Sequence, residues 1–200
     1  MELSFNELAK VTKDKEIYMM IGNGSKNQFR DRRVIKGILR RHIVKSCSDN
    51  SVFLYFGDTA NEKKPDVGLL FKYVKEMKPT MNIYMIQMGG AKSWGVPDFV
   101  SGVYWHNDYT EKCKYGCVIN GKPYSNTKKW ITLHKRNGIK KVFIFGGGPI
   151  TLDEYSMIKK YDIPYEYFPV ERKFKGDGKT RIDPNDSLKE RIGITWGKIK

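Results

Sequence analysis

The sequence predicts a three-layer α/β/α domain built around a parallel sheet of about five strands. Three observations lead there. Compact apolar runs alternate with stretches whose apolar positions recur at helical spacing. The runs are apolar throughout, as in strands covered on both faces, where an antiparallel surface strand would alternate. The runs also close on glycine-rich turns, and several of these turns open directly into a helix.

Residues 1–15 read as a short polar helix or a frayed lead-in. Ile17-Tyr18-Met19-Met20-Ile21 is a buried strand stopped by Gly22-Asn23-Gly24-Ser25. Over 27–45, Val34, Ile35, Ile38, Leu39 and Ile43 define an amphipathic helix whose other face is rich in arginine. Residues 51–56 form a second buried strand ended by Gly57-Asp58-Thr59, and Pro65 suits the first turn of a helix reaching about Lys78. Residues 81–88 form a third strand, closed by Gly89 and Gly90. Residues 91–127 are less regular, with a candidate strand at 100–106 and a candidate hairpin at 114–123 around Asn120-Gly121, a pair that accepts positive φ. A helix is expected over 127–137, with Gly138 just past its end. Then come a strand at 141–145, the turn Gly146-Gly147-Gly148-Pro149, a helix at 151–161 with Asp153 and Glu154 in its first turn, and a last short strand at 164–168. The order is that of a Rossmann-like domain over residues 1–172, with a hairpin insertion. Residues 173–200, rich in Lys, Gly and Asp, read as a basic extended tail whose Leu188, Ile192, Ile194 and Trp196 could dock on the body or on a second subunit.

Composition narrows the function classes. The chain has 200 residues, with 37 Lys plus Arg against 22 Asp plus Glu, so the net charge is 37 − 22 = +15. Such a surplus favours phosphate-bearing partners, because neutralised phosphates release their counterions. Most of the positive charge is dispersed lysine, which also serves solubility. Five arginines do cluster, at Arg30, Arg32, Arg33, Arg40 and Arg41. No run is long and apolar enough to span a membrane. The early acids at the N-terminus argue against a secretory signal, and three cysteines argue against a disulfide scaffold. The expectation is a cytoplasmic protein without a membrane partner.

The glycine turns carry the chemistry. Glycine lets backbone N–H groups approach an anion, and a helix N-terminus adds partial positive charge. Gly22, Gly24, Ser25 and Lys26 after the first strand, with Gly147, Gly148 and Thr151 near the fourth, are the candidate phosphate site. Ser25 and Thr151 offer hydroxyls and Lys26 a full charge. Each turn taken alone is also an ordinary strand-to-helix connection. Neither a Walker A string nor the dinucleotide fingerprint is present, since position 27 is Asn where the third glycine would stand.

The most specific string is Gly147-Gly148-Pro149-Ile150-Thr151-Leu152-Asp153-Glu154. It resembles the Pro-Gly-Gly-x-Gly-Thr-x-x-Glu signature of the LOG-like phosphoribohydrolases, also called the "lysine decarboxylase" family, within the wider SLOG group of Rossmann-like nucleotide binders. The resemblance implies that Gly147, Gly148 and Thr151 hold phosphate and that Glu154 acts on an N-glycosidic bond. Gly146 stands where that family has Pro, and Ile150 where it has Gly before Thr. The motif covers about eight residues, and the similar element order covers 16–170. From the residues alone, Glu154 could stabilise an oxocarbenium ion or activate water, or it could complement a helix dipole. Asp58 has two readings as well: a catalytic group that orients a ribose hydroxyl, or a cap for its own turn.

Trp94 and Trp105, in an aromatic patch with Tyr104, Tyr109 and Lys92, are candidates for stacking on a base, or for core and oligomer contacts. His106, Cys113 and Cys117 lie close in sequence, but the set is incomplete for zinc, so no metal and no cofactor is expected. The leading expectation is a binder of a nucleotide or another phosphorylated small molecule, with N-glycosidic hydrolysis as its reaction. The alternative is a basic nucleic-acid-binding or scaffold protein on a catalytically inactive Rossmann-like body, with Arg30, Arg32, Arg33, Arg40 and Arg41 as the contact residues and a homo-oligomer as one form.

Overall fold

A computed structural model of the chain describes residues 1–22, 32–56, 67–88, 92, 95–106, 118–119, 122–123, 138–146 and 149–168. The first half runs β1 (Glu2–Leu3), α1 (Phe5–Thr12), β2 (Glu16–Gly22), α2 (Arg32–Ile38), a π-helical turn (Leu39–Val44), β3 (Ser51–Phe56) and α3 (Gly68–Met77). The second half runs β4 (Asn82–Met88), β5 (Gly102–His106), β6 (Val118–Ile119), β7 (Lys122–Pro123), β8 (Ile139–Phe145), α4 (Pro149–Lys160) and β9 (Tyr165–Phe168).

Seven strands form one sheet in the order β1-β5-β4-β3-β2-β8-β9, and every neighbouring pair is parallel. The α/β Rossmann-like class expected from the sequence is therefore the observed one, with seven strands in place of about five. The two additions are β5, which falls within the candidate strand at 100–106, and β1, which lies in the supposed lead-in. Two residues are too short to leave a periodic trace. β1 docks because Gly102 has no side chain: a Cβ there would come within 2.9 Å of Leu3 Cδ1. β6 and β7 pair antiparallel around 120–121, as the hairpin reading requires.

Alternate residues of each strand supply two separate cores. Tyr18, Met20, Phe53, Tyr55, Ile83, Met85, Phe143 and Phe145 pack under α2, its π-helical extension and α3. Ile17, Met19, Ile21, Val52, Leu54, Ile86, Val142 and Ile144 pack under α1 and α4. Both faces of the sheet are covered, which explains why the strands read as unbroken apolar runs.

The helices follow from local signals. Ser4 caps α1: its hydroxyl accepts from Glu7 N–H at 3.2 Å, and Glu7 Oε2 accepts from Ser4 N–H at 2.7 Å. This reciprocal pair is a capping box, which fixes the helix start. Along α2 and its π-helical turn, the buried side chains Ile35, Leu39 and Ile43 recur at a step of four, and Cys47, just past the helix end, is buried as well. A step of four overshoots the 3.6-residue α-turn and falls short of the wider π-turn. Joining the two kinds of turn cancels the drift, so Ile35, Leu39 and Ile43 all stay on the sheet. Among the described residues, no helix is long and apolar enough to cross a membrane. Residues 173–200 and the helix expected at 127–137 lie outside the described residues.

Candidate functional site at the carboxyl edge of the sheet

From β2 the chain steps outward through β3 and β4 to β5; β8 then returns to the opposite side of β2, and β9 continues beyond it. The strand order reverses between β2 and β8. In open parallel sheets such a reversal leaves a crevice outside the carboxyl ends of the two strands.

The two ends meet closely. Gly22 is in register with Phe145, has φ +147°, and would place a Cβ 2.1 Å from the Phe145 carbonyl oxygen. Only glycine fits that approach. Gly146, at φ +51°, then turns the chain towards α4 while its N–H donates to Phe168 O at 3.0 Å. Pro149 opens the helix, a position where its missing N–H costs nothing. Thr151 follows in the first turn. It is 3% exposed, and its Oγ1 donates to Gly22 O at 3.1 Å. The hydroxyl thus ties the start of α4 to the end of β2. Its proton is engaged with Gly22, so towards an anion Thr151 offers its backbone N–H, one of the orphan donors of the first turn.

Glu154 lies three residues further along α4 and is half-buried. The sequence placed it in the first helical turn; the helix starts at Pro149 rather than at 151, so the first turn holds no acid and Glu154 belongs to the second. The cause is proline, whose fixed φ is already helical and begins the helix two residues early. Complementing the helix dipole, an effect confined to the terminal turn, explains Glu154 less well in this position.

The other expected site residues divide into those described and those not. Gly24, Ser25, Lys26, Arg30, Asp58, Trp94, Gly147 and Gly148 lie outside the described residues. Trp105 is in β5, three strands from β2, so it stands roughly 14 Å from Gly22 at the usual strand spacing. Its ring packs against the α2/α3 core, with Lys92 Nζ 5.7 Å from a ring centroid. Lys92 also pairs with Glu2 at 3.2 Å. The Trp105 Nε1–H is buried without a hydrogen-bond partner among the described residues. Beside it in register sits Gln87, a 3% exposed amide at the carboxyl end of β4. Sequence reasoning passed over Gln87, although a lone Gln late in an apolar strand was a readable signal.

Of the described arginines, Arg40 and Arg41 lie away from this edge. Arg32 opens α2, while Arg33, Arg40 and Arg41 are exposed along α2 and its π-helical turn, which runs away towards the amino edge of the sheet. Among the described residues, no cluster of three His, Cys, Asp or Glu side chains could hold a metal ion. Cys113 and Cys117 lie outside them. Cys47 is buried, and burial pushes its thiol up to about 11. No family model, no curated protein and no solved structure matches this chain.

Proposed function

We propose that the protein binds a nucleotide, such as a nucleoside monophosphate, at the carboxyl edge between β2 and β8, with the phosphate against the start of α4. The observation that carries the reading is the reversal of strand order at β2 and β8, where Gly22 seats against Phe145 and Thr151 bridges the two ends. The orphan N–H groups of the first turn of α4 suit an anion. Gln87 and Trp105 stand on the same edge, two and three strands from β2.

The reaction we assign is hydrolysis of the N-glycosidic bond, with Glu154 as the acid–base residue. Its carboxylate takes a proton from water as the water oxygen bonds to ribose C1′. The C1′–N bond breaks, its electron pair goes to the base, and Glu154 passes the proton it took to the base nitrogen, which restores its carboxylate. The resemblance of the 147–154 string to the phosphoribohydrolase signature supports this reaction.

The test is to incubate the protein with nucleoside monophosphates and NAD, follow free base by chromatography, and run Glu154→Gln beside it. The proposal expects base release that falls at least 100-fold in the variant while nucleotide still raises the melting temperature. Nucleotide-dependent stabilisation without base release would leave a binding protein. Neither effect with any nucleotide would remove the whole reading.

A further inference from the structure

The structure assigns a second, separate function to the outer ridge of α2: we propose that it docks on the phosphate backbone of a nucleic acid. The step of four that keeps Ile35, Leu39 and Ile43 on the sheet fixes the opposite side of the helix as well. Midway between the buried positions fall Arg33, Gly37, Arg41 and Lys45. Arg33, Arg41 and Lys45 are exposed, as is Arg40 beside them, and Gly37 is half-buried. A purely α-helical segment would wind this series around the cylinder, whereas the change to a π-turn holds it as one straight ridge.

The ridge carries a net positive charge. From Arg32 to Ser48 the sequence contains no Asp or Glu. Among the described residues, the acids near the helix are paired elsewhere: Glu76 with Lys36 at 3.4 Å, Glu166 with His42 at 3.2 Å and Lys141 at 3.5 Å, and Asp49 with Lys78 at 3.1 Å. Arg40, Arg41 and Lys45 have no ion pair among the described residues. Gly37 leaves a notch in the ridge, and the Arg41 guanidinium approaches to 3.7 Å from where a Cβ would stand. The guanidinium therefore lies along the helix and is held close to the surface, where its planar donors suit phosphate oxygens.

The α-helical part from Arg33 to Leu39 rises about 9 Å, and the π-turn carries the ridge on to Lys45, enough to follow several consecutive phosphates. A row of exposed guanidinium and ammonium groups matches a phosphate backbone, whose oxygens accept wherever the row donates and carry no sequence information. The site lies on the α2/α3 face and runs towards the amino edge of the sheet, away from the crevice between β2 and β8. It therefore stands or falls independently of the nucleotide proposal.

The experiment is a titration of the full chain with a short mixed-sequence nucleic-acid duplex at several salt concentrations. It compares the wild type with Arg40→Ala/Arg41→Ala and with Lys10→Ala/Lys13→Ala, an equal loss of charge beside α1 on the other face. The expected result is salt-dependent binding, with the arginine variant at least tenfold weaker near physiological salt. The slope of log K against log salt should fall by about 2 in that variant, since each phosphate contact contributes about 0.9. The lysine variant should change less than threefold. Equal losses in the two variants, an unchanged slope in the arginine variant, or binding only to anionic lipid vesicles would each overturn the proposal. The substituted side chains are exposed, and matching melting curves will show that each variant is folded.

Discussion

At the scale of single residues, Gly22 is where the fold is least tolerant. Any side chain would combine a left-handed backbone with a clash against a carbonyl that cannot swing away, because Phe145 is fixed in β8. Gly22→Ala is expected to cost about 3 kcal/mol or more, the sum of backbone strain and overpacking, and urea denaturation will measure it. A loss below about 1 kcal/mol would mean that the strand ends can separate freely. Thr151→Val tests the neighbouring contact by removing the hydroxyl at nearly constant shape. The Gly22 carbonyl then loses its donor, and a cost of about 1–2 kcal/mol is expected. Cys47 gives a third residue-level prediction. The residue is 6% exposed and burial pushes its thiol up to about 11, so native protein should leave Cys47 unmodified by a thiol reagent at pH 8, with modification appearing only on unfolding. Peptide mapping of the Cys47 fragment reads this directly.

At the scale of elements, the glycine at position 37 allows a prediction of opposite sign. A Cβ there meets nothing nearer than 3.7 Å, and the nearest atom is the end of a flexible arginine. Gly37→Ala should therefore stabilise the protein by about 0.5–1 kcal/mol through helix propensity. A destabilised variant would show that Arg41 depends on the notch. Legibility in the sequence also differs by element. Strands β2, β3, β4 and β8 are readable because each carries a run of at least four apolar residues with a glycine just past it. α1 is half-readable: Ser4 and Glu7 stand three apart, a capping box in plain view, but β1 before it is only two residues long. The π-turn in α2 has no compositional mark, and only the step of four from Ile35 to Ile43 hints at it. The candidate site is legible as a set of glycine turns, yet not as a geometry. The strand order that makes β2 and β8 neighbours depends on long-range pairing, and local patterns do not encode it. The start of α4 differs by two residues from its expected place because Pro149 belongs to the helix and not to the glycine turn before it.

At the scale of the whole molecule, the two ends of the sheet do different work. At the carboxyl edge the strand order reverses between β2 and β8. The amino edge is a polar clasp across three strands, centred on Glu16 of β2. One carboxylate oxygen pairs with Lys140 of β8, and the other accepts from Ser48 at 2.9 Å and from Ser51 of β3 at 3.0 Å. The Lys140 ammonium, followed by the two serine hydroxyls, holds the Glu16 carboxyl below the usual glutamate range. Glu16 in turn raises Lys140 above the usual lysine range. The signs follow from linkage. A depressed carboxyl contributes stability that is complete above its unfolded value, near about 4.3, and is lost as pH falls through the lower folded value. A raised ammonium contributes stability that is complete below its unfolded value, near about 10.4, and is lost as pH rises through the higher folded value. One pair therefore shapes both limbs of the stability profile and leaves a plateau between them. Glu7, lowered by the Ser4 backbone and side chain, adds to the acid limb alone. Glu16→Gln should consequently flatten the alkaline limb and part of the acid limb, while Glu7→Gln touches only the acid limb. Urea midpoints followed from pH 3 to pH 11 would separate the two. If Glu16→Gln leaves the alkaline limb parallel to the wild type, then Lys140 draws its stability from elsewhere, and the clasp does not couple β2 to β8.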